Sequence, residues 1–440
     1  MELAEFVTVT AEKFGIPGVT VGVLANGEEV YAAHGVTSVD NPLPVDEDTL
    51  YQLASVTKTF TATALMRLVE QGRVELDAPV RRYVPELELS DETAAASITV
   101  LNLLNHTAGL DWGVIVDTGD GDDALAAYVA NMAELRMIAE PGARASYSQA
   151  GFNLVGRIIE KVTGKPYEQA VTELVLEPAG LSNTFYAPSD VMTRRFAVGH
   201  NVGEDGTLSI ARPWTVTTRA NRPGGGIVSS ASDQLKWARV HLSDDSLRRM
   251  QEPTVTLRAS TLGDALGIAW FLRDVDGVRA IGHGGSANGQ FAELLIVPER
   301  NFAVVVAANA GPNGIPFNQE VVRWALEHYL GVLDRDPEPL PYDEAQALDV
   351  VGDYGIDAMT CDITTDGGTL TMAVRIRPEI RAASDTEMPP DPEPFPLGPL
   401  PGDEYIVTAG EYKGQRGFFS RDENGAVVGV DLAGRLFTRC

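Results

Sequence analysis

The chain has 440 residues, a formal net charge of −28 at pH 7 and 44% hydrophobic residues. This length exceeds a single ordinary hydrophobic core, so we expect two domains, and the composition is that of a globular protein rather than a disordered one. The negative charge argues against nucleic acid or an anionic membrane surface as a partner. No stretch approaches the roughly 20 apolar residues that a membrane span needs.

The cysteines and the N-terminus bear on cofactors and compartment. Cys361 and Cys440 are far apart in the sequence, which predicts no disulfide framework, and metal-ligand spacing is absent. We therefore expect neither a metal nor another cofactor. The first residues, Met-Glu-Leu-Ala-Glu-Phe, are acidic and lack the basic and apolar segments of an export signal, which predicts a cytoplasmic protein.

Strands are predicted at both ends of the first 330 residues, with helices between them. The predicted helices cover 2–14, 55–71, 152–162, 167–176, 232–242 and 318–329. The predicted strands cover 19–24, 29–34, 267–273, 279–282, 291–297 and 302–308. This order predicts one α+β domain whose sheet is completed by the two ends of the region. The glycine-rich stretch 223–226 is predicted to be a flexible loop.

The last hundred residues have a different pattern. Residues 334–344 form a Pro-rich acidic linker, and short alternating runs separated by Gly, Asp and Pro follow it. These runs predict a small antiparallel β sandwich or barrel. We therefore place the domains at 1–333 and 345–440.

Ser55 and Lys58 lie three residues apart at the start of a predicted helix, so they share one helix face. A lysine whose pKa is lowered by burial or by another cation can take the proton of a neighbouring serine hydroxyl and make it a nucleophile. The first turn of a helix also presents unpaired N–H groups to an oxyanion. Alone, the pair is more often an N-cap serine with a surface lysine, so its meaning depends on the motifs further along the chain.

Two further stretches carry residues suited to chemistry. In the extended stretch after Pro141-Gly142, Tyr147 and Gln149 are expected to present a hydroxyl and an amide to one site, or else to begin a helix with a packed tyrosine. His283 is followed by Gly284 and Gly285 at the end of a predicted strand, where glycines mark close approach of a ligand or a backbone. His283 can carry positive charge toward a substrate, or it can be a buried histidine at a strand bend.

A fourth candidate, His106, occurs in the sequence Leu-Leu-Asn-His-Thr-Ala-Gly. We interpret it as structural, because its polar groups are suited to tying a helix end to the neighbouring backbone.

The order and spacing of these motifs resemble the serine β-lactamase and penicillin-binding protein superfamily over residues 3–330. The motifs are Ser-x-x-Lys at 55–58, Tyr-x-Gln at 147–149 and His-Gly-Gly at 283–285. The flanking sequences agree, as in Leu-Leu-Asn-His-Thr-Ala-Gly-Leu at 103–110. The class C β-lactamase, esterase and D-aminopeptidase branch is the most similar, which implies a β-lactamase-like fold: an antiparallel sheet flanked by helices, with a helical subdomain.

The resemblance implies a role for each motif residue. Ser55 forms an acyl-enzyme, Lys58 and Tyr147 share the proton transfers, with Tyr147 as a phenolate or shuttle, and His283 orients Tyr147 or a substrate carboxylate. The N–H groups of Ser55 and Ser286 form the oxyanion hole. Gln149, Gly284 and Gly285 line the substrate site.

Two departures from the family pattern bear on the substrate. Gln149 stands where the family has asparagine, so its amide is expected to reach further into the acyl pocket and to hinder a bulky β-lactam side chain. His283 stands where many relatives have lysine. The resemblance implies that histidine here is common in the esterase and aminopeptidase relatives, which argues against a true β-lactamase. Specificity is expected to depend on the loops 112–123, 186–225 and 309–316.

The C-terminal sequence Asp-Glu-Asn-Gly-Ala-Val-Val-Gly-Val-Asp-Leu-Ala-Gly-Arg-Leu-Phe, at 422–437, resembles the lipocalin-like domain that follows the hydrolase domain in some of these proteins. Such a domain can shield the cleft, set substrate length, mediate a homo-oligomer, or serve stability alone.

These features predict a serine hydrolase acting on small amides or short peptides, with D-stereospecificity, or on carboxylic esters. The alternatives are a thioesterase that cyclises nonribosomal peptides, a weak β-lactamase and a non-catalytic scaffold. An α/β-hydrolase is disfavoured, because the sequence contains no Gly-x-Ser-x-Gly elbow.

Overall fold

A computed structural model describes residues 1–113, 117–203, 206–258, 260–311, 313–383 and 390–440. Each of the predicted specificity loops 112–123, 186–225 and 309–316 therefore includes residues outside the described set.

The helices of the described residues, in chain order, are α1 Leu3–Phe14, α2 Thr57–Glu70, α3 Glu92–Ser97, α4 Val100–Leu104, α5 Ala124–Ala130, α6 Gln149–Thr163, α7 Tyr167–Val171, α8 Pro188–Val191, α9 Arg222–Gly225, α10 Ala231–Ser243, α11 Gly314–Leu330, α12 Glu344–Val350 and α13 Pro378–Ala383. The strands are β1 Gly18–Ala25, β2 Glu28–Gly35, β3 Tyr51–Gln52, β4 Thr184–Phe185, β5 His200–Val202, β6 Leu208–Ile210, β7 Val228–Ser229, β8 Val255–Thr256, β9 Ala265–Leu266, β10 Phe271–Val275, β11 Val278–Ala287, β12 Gln290–Val297, β13 Phe302–Ala308, β14 Gly352–Gly355, β15 Met359–Thr365, β16 Leu370–Ile376, β17 Phe395–Leu400, β18 Glu404–Val407, β19 Arg416–Arg421, β20 Val427–Leu432 and β21 Arg435–Arg439.

An eight-stranded antiparallel sheet organises the first 330 residues, in the order β2-β1-β13-β12-β11-β10-β9-β8. Strand β1 pairs with β13, so that Val19 lies opposite Ala308. The predicted α+β fold, with a sheet completed by the two ends of this region, is confirmed.

Alternation along the central strands divides the core into two layers, because successive side chains of a strand point to opposite faces. On β13, Val304 and Val306 pack against α1 and α11, whereas Val305 packs with α2, α6 and α10 on the other face. The motifs at 55–58 and 147–149 lie at the starts of α2 and α6, on this second face of the sheet. The third motif, at 283–285, lies on strand β11 of the sheet itself.

Two local predictions differ from the structure. The stretch 223–226, predicted as a flexible loop, contributes to the short helix α9. The strand predicted over 267–273 is interrupted between β9 and β10, where Ala269 has a φ of 61° and its N–H donates to the carbonyl of Leu104. Both differences come from contacts with parts of the chain that are distant in sequence.

The C-terminal strands β14 to β21 form a closed barrel in sequential order. It closes where β14 pairs with β21, with Tyr354 opposite Arg439. Buried apolar side chains fill its interior, including Met372, Phe419 and Phe437. The predicted antiparallel β unit is thus a barrel rather than a sandwich, and its particular similarity to lipocalins remains a prediction.

The barrel is attached to the sheet region by ion pairs and hydrogen bonds. In the predicted linker, Asp334 pairs with Arg273 at 2.8 Å and Asp336 pairs with Arg323. Further along, the Arg136 guanidinium donates to the Thr438 hydroxyl at 3.0 Å. The exact boundaries 333 and 345 stay predictions.

Across the described ranges, the helices are too short or too polar to span a bilayer. In the same residues, no group of three or more His, Cys, Asp and Glu side chains is arranged to hold a metal ion.

Candidate active site

Ser55 lies in a tight turn at the beginning of α2. Residues Ala54–Val56 form a 3-10 turn that runs directly into the helix, and the Val56 N–H donates to the Leu53 carbonyl at 3.1 Å. Ala54 has a φ of 44°, a conformation that costs free energy for a residue with a side chain. Ser55 is partly exposed, whereas its neighbours in the turn are buried. The turn therefore leaves the Ser55 hydroxyl accessible to solvent, while Ala54 and Val56 on either side of it are buried.

Lys58 is buried one turn further along α2, directly beneath Ser55. Its Nζ lies 3.4 Å from the Ser55 Oγ, 3.0 Å from the Gln149 Oε1 and 2.8 Å from the Gly224 carbonyl oxygen. Burial, and secondly the charge of Arg435, hold the pKa of Lys58 well below its usual range. A neutral amine has two N–H groups and one lone pair. If the two N–H groups bind Gln149 and Gly224, the lone pair faces the serine hydroxyl.

Gln149, the first residue of α6, has every polar group of its side chain bound within the protein. Its Oε1 accepts from Lys58, and its Nε2 donates to the Asn153 Oδ1 at 3.0 Å and to the Asn221 carbonyl at 3.1 Å. These bonds fix the orientation of the amide. The structure thus places the Gln149 amide beside Lys58 as a hydrogen-bond partner of the lysine, with both amide hydrogens already donated.

Gly224 accommodates the longer glutamine side chain. A Cβ atom on Gly224 would overlap the carboxamide of Gln149, so glycine at this position in α9 leaves the room that the amide occupies beside Lys58. The sequence offered one signal for this contact, the run of three glycines, but not the identity of the partner.

Tyr147 precedes α6 and is buried with its ring against Lys58. The Lys58 Nζ lies 4.8 Å from the Tyr147 ring centroid. Burial raises the pKa of Tyr147 to about 12, although Ser55 and Arg435 act in the opposite direction. The Tyr147 hydroxyl is buried without a hydrogen-bond partner of ordinary geometry among the described residues. The phenolate predicted as one option is therefore disfavoured at neutral pH, and the phenol form remains available to donate a proton.

His283, on β11, stands at the edge of the same cluster as a neutral side chain. Its ring stacks on Phe271 at 4.3 Å between centroids and lies 6.2 Å from the ring of Tyr147. Its Nδ1 is 2.7 Å from the Gly284 carbonyl oxygen, which can only accept, so Nδ1 carries the hydrogen. Burial, and secondly Lys58, lower the pKa of His283 to about 3. Burial thus favours the neutral ring, the second of the two alternatives that the sequence left open, and the ring lies near Tyr147.

Strand β11 passes beside the nucleophile with an unpaired edge. It pairs with β12 over 281–287 but with β10 only over 278–282. A Cβ atom on Gly285 would overlap the Leu53 carbonyl oxygen and would lie 3.2 Å from the Ser55 backbone nitrogen. Gly285 thus lets the strand approach the turn, and Ser286 follows it on the exposed part of the strand.

His106 joins α4 to the segment that carries Tyr147. It has a φ of 59°, and its Nδ1 accepts from the Ser148 N–H at 3.2 Å. Its ring lies 4.5 Å from that of Tyr147. This geometry agrees with the predicted structural role.

The structure adds one residue that the motifs did not indicate. Arg435, on β21 of the barrel, places its guanidinium carbon 5.0 Å from the Tyr147 ring centroid and 5.3 Å from that of Trp112. No local sequence signal distinguishes this arginine from the others on the barrel strands.

A strained turn, a buried lysine and a tyrosine around one serine form the arrangement expected of a serine acyl-transfer site of the β-lactamase type. A family profile named Beta-lactamase matches residues 3–327, and the chain belongs to this family. Penicillin-binding protein 4 of Amycolatopsis lactamdurans is 31% identical over 351 residues, 76% of this chain and 91% of that protein.

Two further proteins extend the comparison. The D-alanyl-D-alanine-carboxypeptidase/endopeptidase AmpH of Escherichia coli strain K12 is 26% identical, over 68% of this chain and 80% of its own length. Crystal structures of SurE, one of them with D-Leu, are similar at TM-scores of 0.77 and 0.75 with 23% identity, covering 100% of this chain and 98% of SurE. The likeness to SurE shows that the fold, including the barrel, is shared.

Proposed function

We propose that the protein is a serine hydrolase that acts through an acyl-enzyme on amides or short peptides containing a D-amino acid, with small carboxylic esters as the other accepted acyl donors. The observation that carries the proposal is the position of Lys58, buried and 3.4 Å from the Ser55 hydroxyl. A lysine in this position, with a lowered pKa, is suited to be the general base for serine.

The reaction begins when the Ser55 Oγ attacks the carbonyl carbon of the substrate and its proton passes to the Lys58 Nζ. The N–H groups of Ser55 and Ser286 hold the oxyanion of the tetrahedral intermediate. The Tyr147 hydroxyl gives its proton to the leaving amine or alcohol as the C–N or C–O bond breaks, and Lys58 returns a proton to Tyr147. In deacylation the same proton path runs in reverse. Water loses a proton to the Tyr147 and Lys58 pair as it attacks the acyl carbonyl carbon, and Lys58 returns a proton to the Ser55 Oγ as the acid is released.

The preference for D-amino acids is supported by the relatives. AmpH is named a D-alanyl-D-alanine-carboxypeptidase/endopeptidase, and one SurE structure contains D-Leu. A neutral His283 also supports the proposal, because the esterase and aminopeptidase relatives commonly have histidine where other members of the superfamily have a charged lysine. Assembly through the barrel and a cytoplasmic location remain predictions from the sequence.

The test is intact mass spectrometry and turnover with a small activated ester, a D-alanyl amide and its L-alanyl counterpart, and a penicillin. We expect an adduct on the peptide that contains Ser55 with at least one reagent, and faster turnover of the D-amide than of the L-amide. Ser55→Ala should abolish both, whereas Ser97→Ala, at the end of α3, should behave as the wild type. Turnover that survives Ser55→Ala would refute the proposal.

A further inference from the structure

The barrel reaches the active site through the turn between its last two strands. The Gly434 carbonyl in this turn accepts from the Tyr147 N–H at 2.8 Å. Gly434 has a φ of 72°, and a Cβ atom there would overlap the side chain of Leu262. The turn is therefore fitted closely against the segment that carries Tyr147, and it fixes the position of the next residue, Arg435.

Arg435 brings a positive charge to this cluster with little local compensation. Its Nε is buried without a hydrogen-bond partner among the described residues, and its Nη1 donates to the Ala433 carbonyl at 3.3 Å. The neighbouring carboxyl, Asp431, is also buried, and burial raises its pKa to about 7. Asp431 is therefore partly protonated at neutral pH and offsets only part of the arginine charge.

We propose that Arg435 is a positioning residue supplied by the barrel, whose positive charge prepares Lys58 and Tyr147 to take and return the Ser55 proton. The inference rests on the proposed acyl-enzyme function. It makes the docked barrel part of the active site rather than a passive stability module.

The geometry places both cationic side chains against one ring. The Lys58 Nζ and the Arg435 guanidinium carbon lie 4.8 and 5.0 Å from the Tyr147 ring centroid. In the part of the chain that the structure describes, Lys58 also faces His106 and His283, and burial lowers the pKa of both, so they are neutral. Besides Asp431, Tyr412 faces Arg435, and its raised pKa keeps it neutral as well.

The charge of Arg435 acts in the same direction on both groups. It opposes protonation of Lys58, and it favours loss of the Tyr147 proton. Without it, the pKa values of Lys58 and Tyr147 both rise, so a higher pH is needed to reach the active base. For one positive charge on the opposite side of an aromatic ring in a protein interior, the expected shift in the pKa of Lys58 is on the order of one unit.

The experiment measures the pKa of Lys58 directly, by NMR of full-length protein labelled at the lysine Cε. The chain has six lysines, which gives few signals to assign, and Lys58→Arg identifies its resonance. We expect Arg435→Gln and Arg435→Met to raise the pKa of Lys58 by about one unit. Arg435→Lys keeps the charge and should keep the wild-type titration, as should the control Arg439→Gln on the same strand.

The same variants should move the acid limb of kcat/KM for the ester to higher pH by the same amount. A Lys58 titration that is unchanged in both neutral variants would overturn the inference. If the titration shifts as expected but no Ser55 adduct forms with any substrate, the electrostatic role of Arg435 stands and the proposed function fails. Circular dichroism shows whether Arg435→Gln or Arg435→Met has a folding defect. If one of them does, the other still provides the test.

Discussion

The Nζ of Lys58 lies 2.8 Å from the carbonyl oxygen of Gly224, a residue 166 positions away in the sequence. This contact fixes one N–H of the buried amine, and Gln149 fixes a second at 3.0 Å. Because the third direction faces Ser55, the orientation of the lone pair depends on two partners that take no part in bond making. In the proposed mechanism, the ability of Lys58 to act as a base therefore depends on how closely α9 packs against the start of α6.

Gly224→Ala tests this packing. The new Cβ would overlap the carboxamide of Gln149, which must then move away from Lys58. We expect kcat/KM for the ester to fall by about 10²-fold, because displacement of catalytic groups by about 1 Å has effects of this size. Stopped-flow acylation kinetics provide the measurement.

The neighbouring glycine supplies the matched control. A Cβ atom on Gly225 would find its nearest atoms, in Ala54, at 3.9 and 4.0 Å, which is ordinary contact. Gly225→Ala should therefore acylate at a rate near that of the wild type. Equal losses in Gly224→Ala and Gly225→Ala would show that the helix as a whole, rather than the Gln149 contact, limits the rate.

Gln149→Glu places a carboxylate where an amide oxygen now faces Lys58. A negative charge at this distance favours the ammonium form, so the pKa of Lys58 rises and the base is protonated at neutral pH. We expect acylation to fall by about tenfold to a hundredfold at pH 7 and to recover as the pH rises. The pH dependence of kcat/KM for the ester is the measurement.

Gln149→Asn separates this role from substrate selection. The sequence suggested that shortening this side chain would shift substrate preference more than acylation of a small ester. Both amide hydrogens of Gln149 are donated to other residues of the protein. We therefore expect Gln149→Asn to lower kcat/KM by a comparable factor for the ester and for the amide. A change confined to bulky substrates would favour the original hypothesis.

The sequence predicted the groups that belong to local motifs and missed those supplied by distant backbone or by the barrel. The spacing of Ser55 and Lys58 on one helix face follows from the helical repeat, so it is readable without a structure. The acceptor at Gly224 is a carbonyl that every residue possesses, and it becomes specific only through packing. Arg435 belongs to a different unit of the fold, so no periodicity connects it with Tyr147.

The charge state of His283 illustrates the same limit. A histidine next to two glycines fits either an exposed cation or a buried neutral ring, and the choice depends on burial. Phe271 and Tyr147 cover the ring in the folded protein, and its pKa falls to about 3. The neutral form could not be read from the sequence, because both neighbours come from other segments.

His283 is therefore expected to stay uncharged between pH 5 and 8. The measurement is a two-dimensional NMR titration of the imidazole signals, and His283→Asn identifies the resonance. The chain has six histidines, so assignment by single substitutions is practical. A midpoint between pH 6 and 7 for His283 would restore the cationic role inferred from the sequence.

His241 on α10 predicts a dependence of stability on pH. Its ring lies 4.5 Å from that of Trp237 and 4.9 Å from that of Trp270, and burial lowers its pKa to about 3. In the unfolded chain a histidine binds a proton near pH 6.5. The folded pKa is the lower one, so the contribution of His241 to stability is complete above pH 6.5 and is lost as the pH falls toward 3.

His241→Leu should remove this contribution. Although the variant can be less stable at pH 7, its free energy of unfolding should decrease less on acidification, by about 1.6 kcal/mol between pH 6.5 and 5. All five tryptophans precede residue 334, so their fluorescence during urea unfolding follows the sheet region and, through Trp112, its contact with the barrel. His34→Leu, at a partly exposed position on β2, is the matched control for the loss of a histidine. Identical acid dependence in His241→Leu and the wild type would mean that His241 is protonated in the folded protein, against the burial between the two indole rings.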